Sequence, residues 1–386
     1  MKILFLTSRL PFPPVGGDKL RTFNFIKHLN KNHHLTLLSF IENEEELNEL
    51  SEFEQYYNKI ITIKLPKLES YKNCLIGLFS SKPLQIHYYT SDSMEAAVKR
   101  ELENGYDVIF CHLIRMAQYL PNNRNIKKIV DFTDAISLNY IRSKKYRKGL
   151  FSIINYIESK RVLKYELATI DHADTSSFIS QIDADFLRTD KNSKKIKVIA
   201  NGVDFEKFQF YNEGFDENQV TFVGNMRTFP NTDAVLYFTQ EVFPILRKVN
   251  PKIKFYVVGT EPNREVLNLH DGENVIVTGF VDSVIPYITN SAVLVAPMRV
   301  GAGVQNKILE SMALGTPVVT TTIGAEGLEK SQLTVADSPA EISQKILELM
   351  KDKNLRKQKA IFGRKYIEKK FHWEVVLQNL DKTIKP

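Results

Sequence analysis

Short apolar runs alternate with longer segments of mixed polarity along the whole chain of 386 residues. The apolar runs predict β-strands and the longer segments predict amphipathic helices, an alternation typical of parallel α/β layers. The runs at 253–258 and 292–296 are almost entirely apolar, as in strands covered on both faces. Predicted strands lie at 2–7, 34–40, 59–65, 107–111, 127–132 and 195–200, and then at 219–224, 253–258, 275–278, 293–297, 316–320 and 332–335.

The pattern changes around residues 188–204, where a polar, lysine-rich stretch is followed by a last short strand and the turn Asn201-Gly202. A chain of this length usually forms more than one domain. We therefore expect an N-terminal domain over 1–200 and a second domain over 201–366. A final helix that carries the only tryptophan, Trp373, is expected within 367–386 and is predicted to pack back on the first domain.

Composition narrows the class of protein. The two cysteines, Cys74 and Cys111, have no CxxC or histidine-rich spacing nearby, so neither a disulfide framework nor a zinc site is indicated. No stretch approaches the roughly 20 apolar residues that a membrane span requires. The formal charge of +7 favours anionic partners of any kind. We expect a cytoplasmic protein, either free or held at the inner membrane surface, without a bound metal or cofactor.

Loops that follow parallel strands are the first places to look for a ligand site. The loop after the first strand contains Gly16 and Gly17 just before a helix, where backbone amides can approach an anion, although the loop could simply turn. It contains no GxGxxG sequence, which argues against a dinucleotide-dependent oxidoreductase. In the same domain His112, Asp131, Asp134 and Arg21 are candidates for a ligand site. The histidine could instead be structural, an aspartate could cap a helix, and Arg21 could face solvent.

The segment 299–319 is the richest in chemistry. Arg299 and the glycines Gly301 and Gly303 follow an apolar strand and precede a helix predicted over 304–314. Free amides, a helix dipole and a guanidinium are suited to a diphosphate. Lys307 adds a second positive charge one turn into the helix, and Glu310 could accept hydrogen bonds from both hydroxyls of a ribose. The alternative is that Lys307 and Glu310 form a solvated ion pair at i,i+3.

These segments resemble a known family. "GAGVQNKILESMALGTPVVTTTIGAEGL" is similar to the donor-binding segment of retaining glycosyltransferases of family four, which have the GT-B fold of two Rossmann-like domains facing each other across a cleft. "IANGVDFEKF" resembles the junction between the domains in that family, and "FHWEVVLQNL" resembles its returning C-terminal helix. The likeness covers 195–380, and in the first half it is concentrated in "LTSRLPFPPVGGDKLR". Within the family, bacterial exopolysaccharide-type sugar transferases are the most similar.

The resemblance assigns roles residue by residue. Glu310 matches the second glutamate of the family's pair, which holds the donor ribose, whereas Ala302 stands where the first glutamate is expected. Arg299 and Lys307 are the preferred substitutes for the family's diphosphate-binding pair, and with Glu310 and His112 they form the predicted catalytic set. The predicted donor-binding residues are Gly16, Gly17, Gly224, Asn225, Arg227, Phe280, Val281, Gly301, Ala302, Gly303, Val304, Glu326 and Gly327, and the predicted acceptor-binding residues are Arg21, Asp131 and Asp134.

The implied function is a retaining, metal-independent transfer of a sugar from a UDP- or GDP-sugar to a glycan or lipid-linked acceptor. Two other functions remain open. A nucleotide-sugar epimerase shares the architecture but needs titratable groups around the sugar, of which His112 is the one clear candidate. A non-catalytic nucleotide-sugar binding protein is suggested by the missing glutamate at Ala302.

Residues 140–166 combine basic and aromatic side chains with an apolar stripe of Leu150, Ile154, Ile157 and Tyr165. This combination suits an anionic membrane surface or a lipid-phosphate acceptor. The alternative is a surface helix whose stripe packs on the N-terminal sheet. Nucleic acid is not an expected partner, because no recognised binding motif accompanies the charge.

Overall fold

The computed structural model describes residues 1–14, 16–48, 50–146, 150–211, 214–301 and 303–385, with the backbone alone at 150 and 151. The chain forms two compact units. The first contains residues 1–200 and 377–386, and the second contains residues 201–376. Each unit is built on its own parallel sheet with helices between the strands.

The first unit holds a seven-stranded parallel sheet in the order β3-β2-β1-β4-β5-β6-β7. The strand order reverses between β1 and β4, so the carboxyl ends of these two strands mark the expected ligand-binding edge. Nearly all of the residues of β1, β2, β4 and β5 are buried, which explains their continuous apolar sequences. The strands are β1 (Lys2–Thr7), β2 (His34–Ile41), β3 (Lys59–Lys64), β4 (Val108–His112), β5 (Lys127–Thr133), β6 (Thr175–Phe178) and β7 (Ile196–Val198).

The helices of this unit connect the strands and cover the sheet. Strand residues such as Leu4, Ile109 and Val130 form one hydrophobic core with Met94 and Ile170, which come from covering helices. The α-helices are α1 (Gly17–Leu29), α2 (Lys67–Gly77), α3 (Leu84–Tyr88), α4 (Asp92–Leu102), α5 (Ile136–Ser143), α6 (Leu150–His172) and α7 (Gln181–Leu187). Short 3-10 helices span Glu44–Leu47, Leu50–Tyr56, Ile114–Tyr119 and Lys144–Tyr146.

Strand β6 was not predicted from the sequence. Its residues are Thr-Ser-Ser-Phe, and only the last of them is apolar. The hydroxyls lie inside the unit, where Ser177 Oγ donates a hydrogen bond of 2.7 Å to Asp131 Oδ1. A buried strand made mostly of Ser and Thr lacks the apolar run by which strands are recognised.

The second unit holds a six-stranded parallel sheet in the order β10-β9-β8-β11-β12-β13. Its order reverses between β8 and β11, which places the loops after these strands at the second expected ligand-binding edge. The strands are β8 (Asp216–Val223), β9 (Lys254–Val258), β10 (Val275–Gly279), β11 (Ser291–Ala296), β12 (Val318–Thr320) and β13 (Thr334–Val335). The α-helices are α8 (Phe229–Tyr237), α9 (Phe243–Val249), α10 (Arg264–Leu267), α11 (Ile285–Thr289), α12 (Asn306–Leu314), α13 (Pro339–Lys351), α14 (Lys353–Phe371) and α15 (Trp373–Ile384), with a π-helix at Phe238–Val242 and a 3-10 helix at Lys330–Gln332.

The C-terminal region differs from the prediction in its bounds. One helix within 367–386 was expected, whereas α14 continues to Phe371 and α15 starts at Trp373 after a break at His372. His372 has an extended backbone with φ −65° and ψ 136°, which ends the first helix. Residues 377–386 group with the N-terminal unit, in which His28 Nε2 lies 2.8 Å from Asp381 Oδ1. Across the described part of the chain, no helix has the length and apolar character needed to cross a bilayer.

Candidate functional site

The loop between β11 and α12 carries the glycines that the sequence singled out. Gly301 and Gly303 have φ values of 142° and 73°, a backbone region that side chains other than glycine rarely adopt. The loop leads directly to Asn306 at the start of α12, where backbone amides and the helix dipole favour an anion. Val304 is buried and anchors the loop to the core. The predicted contact at Ala302 lies outside the described residues.

Lys307 lies in the first turn of α12 and is buried. Its Nζ donates a hydrogen bond of 2.8 Å to Asn231 Oδ1 and one of 3.3 Å to Gln305 Oε1. Burial lowers the pKa of Lys307 to about 8, against a smaller opposing effect of Glu310. Burying an ammonium group that forms no ion pair with a carboxylate costs free energy in the ligand-free protein. An anionic ligand at this position would therefore form an ion pair with an ammonium group that is already partly desolvated.

Asn231 connects the two loops at the point where the strand order reverses. Its Oδ1 accepts from Lys307, and its Nδ2 donates a hydrogen bond of 2.9 Å to the carbonyl of Asn225 in the loop after β8. Gly224 leaves room for this side chain, since a Cβ there would lie 2.8 Å from Asn231 Cγ. The sequence analysis placed Gly224 and Asn225 at the donor site but overlooked Asn231. Asn231 lies within α8, and one asparagine in a predicted helix gives no sequence signal that it contacts a lysine on another helix.

Glu310 lies one turn beyond Lys307 on the same helix. The two residues do not form the ion pair that was the alternative interpretation, since Lys307 is bonded to amide oxygens. Among the described residues, nothing donates a hydrogen bond to the Glu310 carboxylate. Burial raises its pKa to about 7, with Lys207 and Lys307 acting in the opposite direction. The carboxylate is thus left for a ligand that can donate hydrogen bonds.

Arg299 is committed to an internal ion pair. Its Nε and Nη2 donate to the two carboxylate oxygens of Asp233 at 3.0 Å and 2.6 Å, and its guanidinium stacks 4.4 Å from the centroid of the Tyr237 ring. The sequence analysis proposed this guanidinium for the diphosphate and overlooked Asp233. The two residues are separated by 66 positions, so no local pattern could have paired them. About a third of the Arg299 side chain is still exposed to solvent.

The remaining predicted donor contacts lie in loops at the carboxyl ends of their strands. Arg227 follows β8, is largely exposed, and lies 3.5 Å from Glu261. Phe280 follows β10 and exposes 68% of its surface, with Val281 beside it partly buried. Glu326 and Gly327 lie in a turn after β12, where Gly327 has a φ of 79°.

A second pair of glycines, Gly224 and Gly259, shapes this edge, and Gly259 was missed from the sequence. Gly259 ends β9 with a φ of 146°, and a Cβ built there would lie 1.8 Å from the carbonyl oxygen of Gly224. The loops after β8 and β9 therefore approach each other as closely as backbones can. Their amides and carbonyls, rather than side chains, line this part of the edge.

In the first unit the predicted acceptor residues form a buried network. Arg21 donates to both oxygens of Asp131 at 2.9 Å and 2.8 Å, and its Nη1 donates to the carbonyl of Ala200 at 2.9 Å. His112 Nδ1 lies 3.0 Å from Asp131 Oδ2. Burial alone would raise the pKa of Asp131, but the Arg21 guanidinium and the hydrogen bonds hold it well below its usual range.

This network shows that Arg21 does not face solvent, while the acceptor role of Arg21 and Asp131 stays a prediction. Both side chains are fully buried, so neither meets an acceptor as an exposed group. Their charges neutralise each other inside the unit, and Asp131 fixes the orientation of the His112 ring. We assign both residues a positioning role, with His112 as the group that they position.

Unpartnered polar atoms surround the network at the carboxyl ends of β1, β4 and β5. Within the described residues, Thr7 Oγ1, Ser8 Oγ, His112 Nε2, Thr133 Oγ1 and Asp134 Oδ1 are buried without a hydrogen-bond partner. Burial, reinforced by Asp183, raises the pKa of Asp134 well above its usual range. Buried polar groups are normally paired, so five such atoms near the ends of three neighbouring strands indicate a polar ligand with several hydroxyls.

Gly16 and Gly17 begin α1 at the same edge. Gly16 has a φ of 94° and serves as the N-cap, without any side-chain hydrogen bond to the first amides of the helix. Asp18 in this first turn forms an ion pair of 2.8 Å with Arg9. Over the described parts of both units, no group of three or more His, Cys, Asp or Glu side chains is placed to hold a metal ion.

Comparison with known proteins identifies the chemistry of these two units. Residues 217–352 match the family described as glycosyl transferases group 1. The chain is a glycosyltransferase. It is 28% identical over 201 residues to the capsular polysaccharide biosynthesis glycosyltransferase CapM of Staphylococcus aureus, covering 47% of this chain and 52% of CapM. It is also 24% identical over 402 residues to an uncharacterized 44.6 kDa protein in the cps region of Klebsiella pneumoniae, with 99% of each chain covered.

Solved structures establish the fold of this glycosyltransferase. The Anabaena protein HepE, crystallised in complex with UDP, superposes with a TM-score of 0.69 at 14% identity, covering 100% of this chain and 99% of HepE. The predicted GT-B fold is confirmed. The predicted resemblance to glycosyltransferases is confirmed, with residues 217–352 matching group 1.

Proposed function

We propose that this glycosyltransferase moves a sugar from a nucleoside diphosphate sugar to a glycan or lipid-linked acceptor in surface polysaccharide or glycoconjugate synthesis. The transfer retains the anomeric configuration and needs no metal ion. The observation that carries the proposal is the buried Lys307 beside the unpartnered Glu310, on a helix that begins at a glycine loop. The Lys307 ammonium suits a phosphate, and the Glu310 carboxylate suits a diol.

The second unit supplies charge for the leaving diphosphate. The Lys307 ammonium, the dipole of α12 and the amides around Gly301 and Gly303 all favour negative charge at one place. Such fixed donors perform the task that a divalent cation performs in other phosphate sites, which is the basis for proposing metal independence. The Glu310 carboxylate accepts hydrogen bonds from the ribose hydroxyls and so orients the nucleotide.

Transfer breaks one bond and forms another at the anomeric carbon. The bond to the phosphate oxygen breaks with its electron pair going to the diphosphate, and an acceptor hydroxyl oxygen bonds to the same face of that carbon. The hydroxyl proton passes to the departing phosphate oxygen, so charge and atoms balance without a separate base. In this scheme the protein contributes orientation and electrostatic stabilisation, which usually lower the barrier most in such catalysis.

The first unit supplies hydrogen bonds for hydroxyl groups. The unpartnered atoms of Thr7, Ser8, His112, Thr133 and Asp134 are suited to a sugar or acceptor, because each can donate or accept one hydrogen bond. The raised pKa of Asp134 favours its protonated form, which can donate a hydrogen bond. The buried pair of Arg21 and Asp131 holds His112 in place for this contact.

The similar proteins support the class of donor and of pathway. HepE was crystallised with UDP and also with UDP-glucose, which supports a uridine diphosphate sugar as the first donor to test. CapM is named for capsular polysaccharide biosynthesis, which supports a polymer-forming pathway. The second candidate function is binding of a nucleotide sugar without transfer. Binding without transfer is favoured by one observation: Ala302 stands where the family that this chain resembles has a glutamate.

The test is product analysis with the purified full-length protein. UDP-glucose, UDP-N-acetylglucosamine and GDP-mannose are offered with sugar-lipid and oligosaccharide acceptors, with and without EDTA, and NMR reports the anomeric configuration of the product. We expect an α-linked product from an α-linked donor, unchanged by EDTA and lost in Glu310→Ala. An inverted product or complete loss with EDTA would refute the proposed mechanism. Nucleotide binding without transfer to any acceptor would favour the non-catalytic alternative.

A further inference from the structure

Helix α2 has its apolar side turned to solvent. Leu68, Tyr71, Leu75 and the following Phe79 recur at helical spacing, and all are exposed, with Phe79 exposing 95% of its surface. The opposite side is buried and consists of Ser70 and Gly77. Gly77 lies against α3, where an added Cβ would be 2.5 Å from the His87 ring. The helix thus packs on the protein through small and polar residues, the reverse of a normal surface helix.

The first half of α6 shows the same reversal. Ile153, Ile154, Tyr156 and Ile157 are exposed, each by 38% or more. The buried side holds Asn155, whose Nδ2 donates 2.7 Å to the carbonyl of Tyr140, and Glu158. The sequence analysis left open whether the stripe through Ile154, Ile157 and Tyr165 packs on the sheet. It does so at Tyr165, which contacts the core, while Ile154 and Ile157 remain exposed. The Leu150 side chain lies outside the described residues.

The two helices form one continuous surface. Arg161 Nη2 donates a hydrogen bond of 2.8 Å to the carbonyl of Leu78 at the end of α2. Glu158 accepts one of 2.8 Å from the amide of Leu84. The two helices are therefore neighbours, and we call their exposed apolar residues the α2/α6 face. Exposed apolar patches of this extent mark interaction sites.

Positive charge is concentrated beside this face. Residues 140–164 contain eight Lys or Arg and one Glu, a net +7 that equals the formal charge of the whole chain. The one Glu is Glu158, which is buried and paired with Arg161 at 3.0 Å. Lys144 and Lys160 lie on the Tyr156 ring, 5.2 Å and 4.4 Å from its centroid. Lys67 and Lys72 are exposed on α2.

We propose that the α2/α6 face binds the surface of an anionic lipid bilayer. The exposed apolar side chains of α2 and α6 enter the boundary between headgroups and acyl chains, and the lysines contact the phosphates of anionic lipids. Tyr156, an aromatic ring between two ammonium groups, suits the headgroup level. A second copy of the chain fits this face poorly, because two such faces would bring like charges together. The proposal goes beyond the transfer reaction and does not depend on it.

The test is sedimentation of the full-length protein with vesicles of phosphatidylcholine alone or with phosphatidylglycerol added. We expect binding to the mixed vesicles and little binding to phosphatidylcholine alone. Leu75→Ser with Phe79→Ser, and separately Lys160→Glu with Lys164→Glu, are each expected to weaken binding to mixed vesicles at least about tenfold, since one basic residue near such a surface contributes about 1 kcal/mol. All four positions are partly or fully exposed, so unchanged thermal unfolding is expected and is measured alongside.

Matched controls come from exposed residues of the second unit. Leu267→Ser with Phe362→Ser removes comparable apolar surface, and Lys357→Glu with Lys369→Glu reverses two comparable charges. These controls are expected to bind vesicles like the wild type. Equal binding of the α2/α6 variants and the wild type would overturn the proposal. So would a concentration-dependent dimer in analytical ultracentrifugation that the α2 variant abolishes, because the face would then be occupied by a second copy.

Discussion

Both units place charged residues near a reversal in the strand order of their sheet, but the charges of the two units are paired in opposite ways. In the first unit Arg21 and Asp131 are buried and paired through two hydrogen bonds, so their charges cancel within the protein. In the second unit Lys307 is bonded to amide oxygens and Glu310 has no partner among the described residues. Asp131 keeps a pKa well below its usual range, whereas Lys307 and Glu310 move toward neutrality, to about 8 and about 7.

This difference separates groups that hold a site from groups that bind a ligand. A buried ion pair whose two charges neutralise each other without a ligand has no unpaired charge with which to bind one. Removing one partner of such a pair destabilises the fold. Buried groups that are incomplete raise the free energy of the empty protein, and a ligand that completes them recovers that cost. On this basis the first network positions His112, while Lys307 and Glu310 bind the nucleotide.

The largest effect is expected when the complete pair is broken. Arg21→Met leaves Asp131 buried without a cation, which should lower the free energy of unfolding by about 3–5 kcal/mol. Lys307→Met removes a cation that has no carboxylate partner, so we expect a change below about 1 kcal/mol. Urea unfolding of both variants at neutral pH measures the contrast. Similar losses in the two variants would contradict the distinction between the units.

The pH dependence should also differ between the units. Lys307 loses its charge as the pH rises through about 8, and Glu310 loses its charge as the pH falls through about 7. Nucleotide affinity should therefore be greatest between about 7 and 8 and fall on both sides. Calorimetric titrations across this range test the shape, and Glu310→Gln should remove the decline on the acidic side. A flat profile would show that neither group contacts the nucleotide.

The same groups affect stability with opposite signs. Asp131 has a lowered pKa in the folded protein, so its contribution is present above its unfolded pKa and is lost as the pH falls. Glu310 has a raised pKa, so its contribution is present below its unfolded pKa and is lost as the pH rises to about 7. Asp131→Asn and Glu310→Gln should therefore change the pH profile of unfolding in opposite directions.

The smallest effect is expected at Arg227. The side chain is 77% exposed and its ion pair with Glu261 is 3.5 Å long, so Arg227→Ala should change the free energy of unfolding by less than about 0.5 kcal/mol. We expect at most a few-fold loss in nucleotide affinity. A loss as large as that of Lys307→Met would make Arg227 a primary phosphate contact and would change the proposed site.

The strands were predictable from the sequence because most of them are continuous apolar runs. Twelve strands were predicted and all twelve are present within a few residues, while β6 was missed because three of its four buried residues are polar. The helix at 304–314 was predicted from its periodicity and its glycine stop, and α12 ends at Leu314 with Gly315 in the left-handed conformation.

The partners of the site residues could not be predicted in the same way. The sequence indicated Lys307, Glu310 and Arg299 through local spacing. It could not pair Arg21 with Asp131 or Lys307 with Asn231, because these contacts join residues 110 and 76 positions apart. Burial decides their roles, and burial is a property of the folded sheet. The acceptor role of Arg21 and Asp131 stays a prediction, and the buried ion pair between them was not foreseen for this reason.

The central claim is that Lys307 and Glu310 bind a nucleoside diphosphate. Calorimetric titration of UDP at neutral pH into the wild type, Lys307→Met, Glu310→Ala and the exposed control Lys357→Ala tests it directly. We predict saturable binding to the wild type, at least about tenfold weaker binding in the first two variants, as for the loss of a charge-assisted hydrogen bond, and near wild-type binding in the control. Undiminished binding in both Lys307→Met and Glu310→Ala would contradict the account.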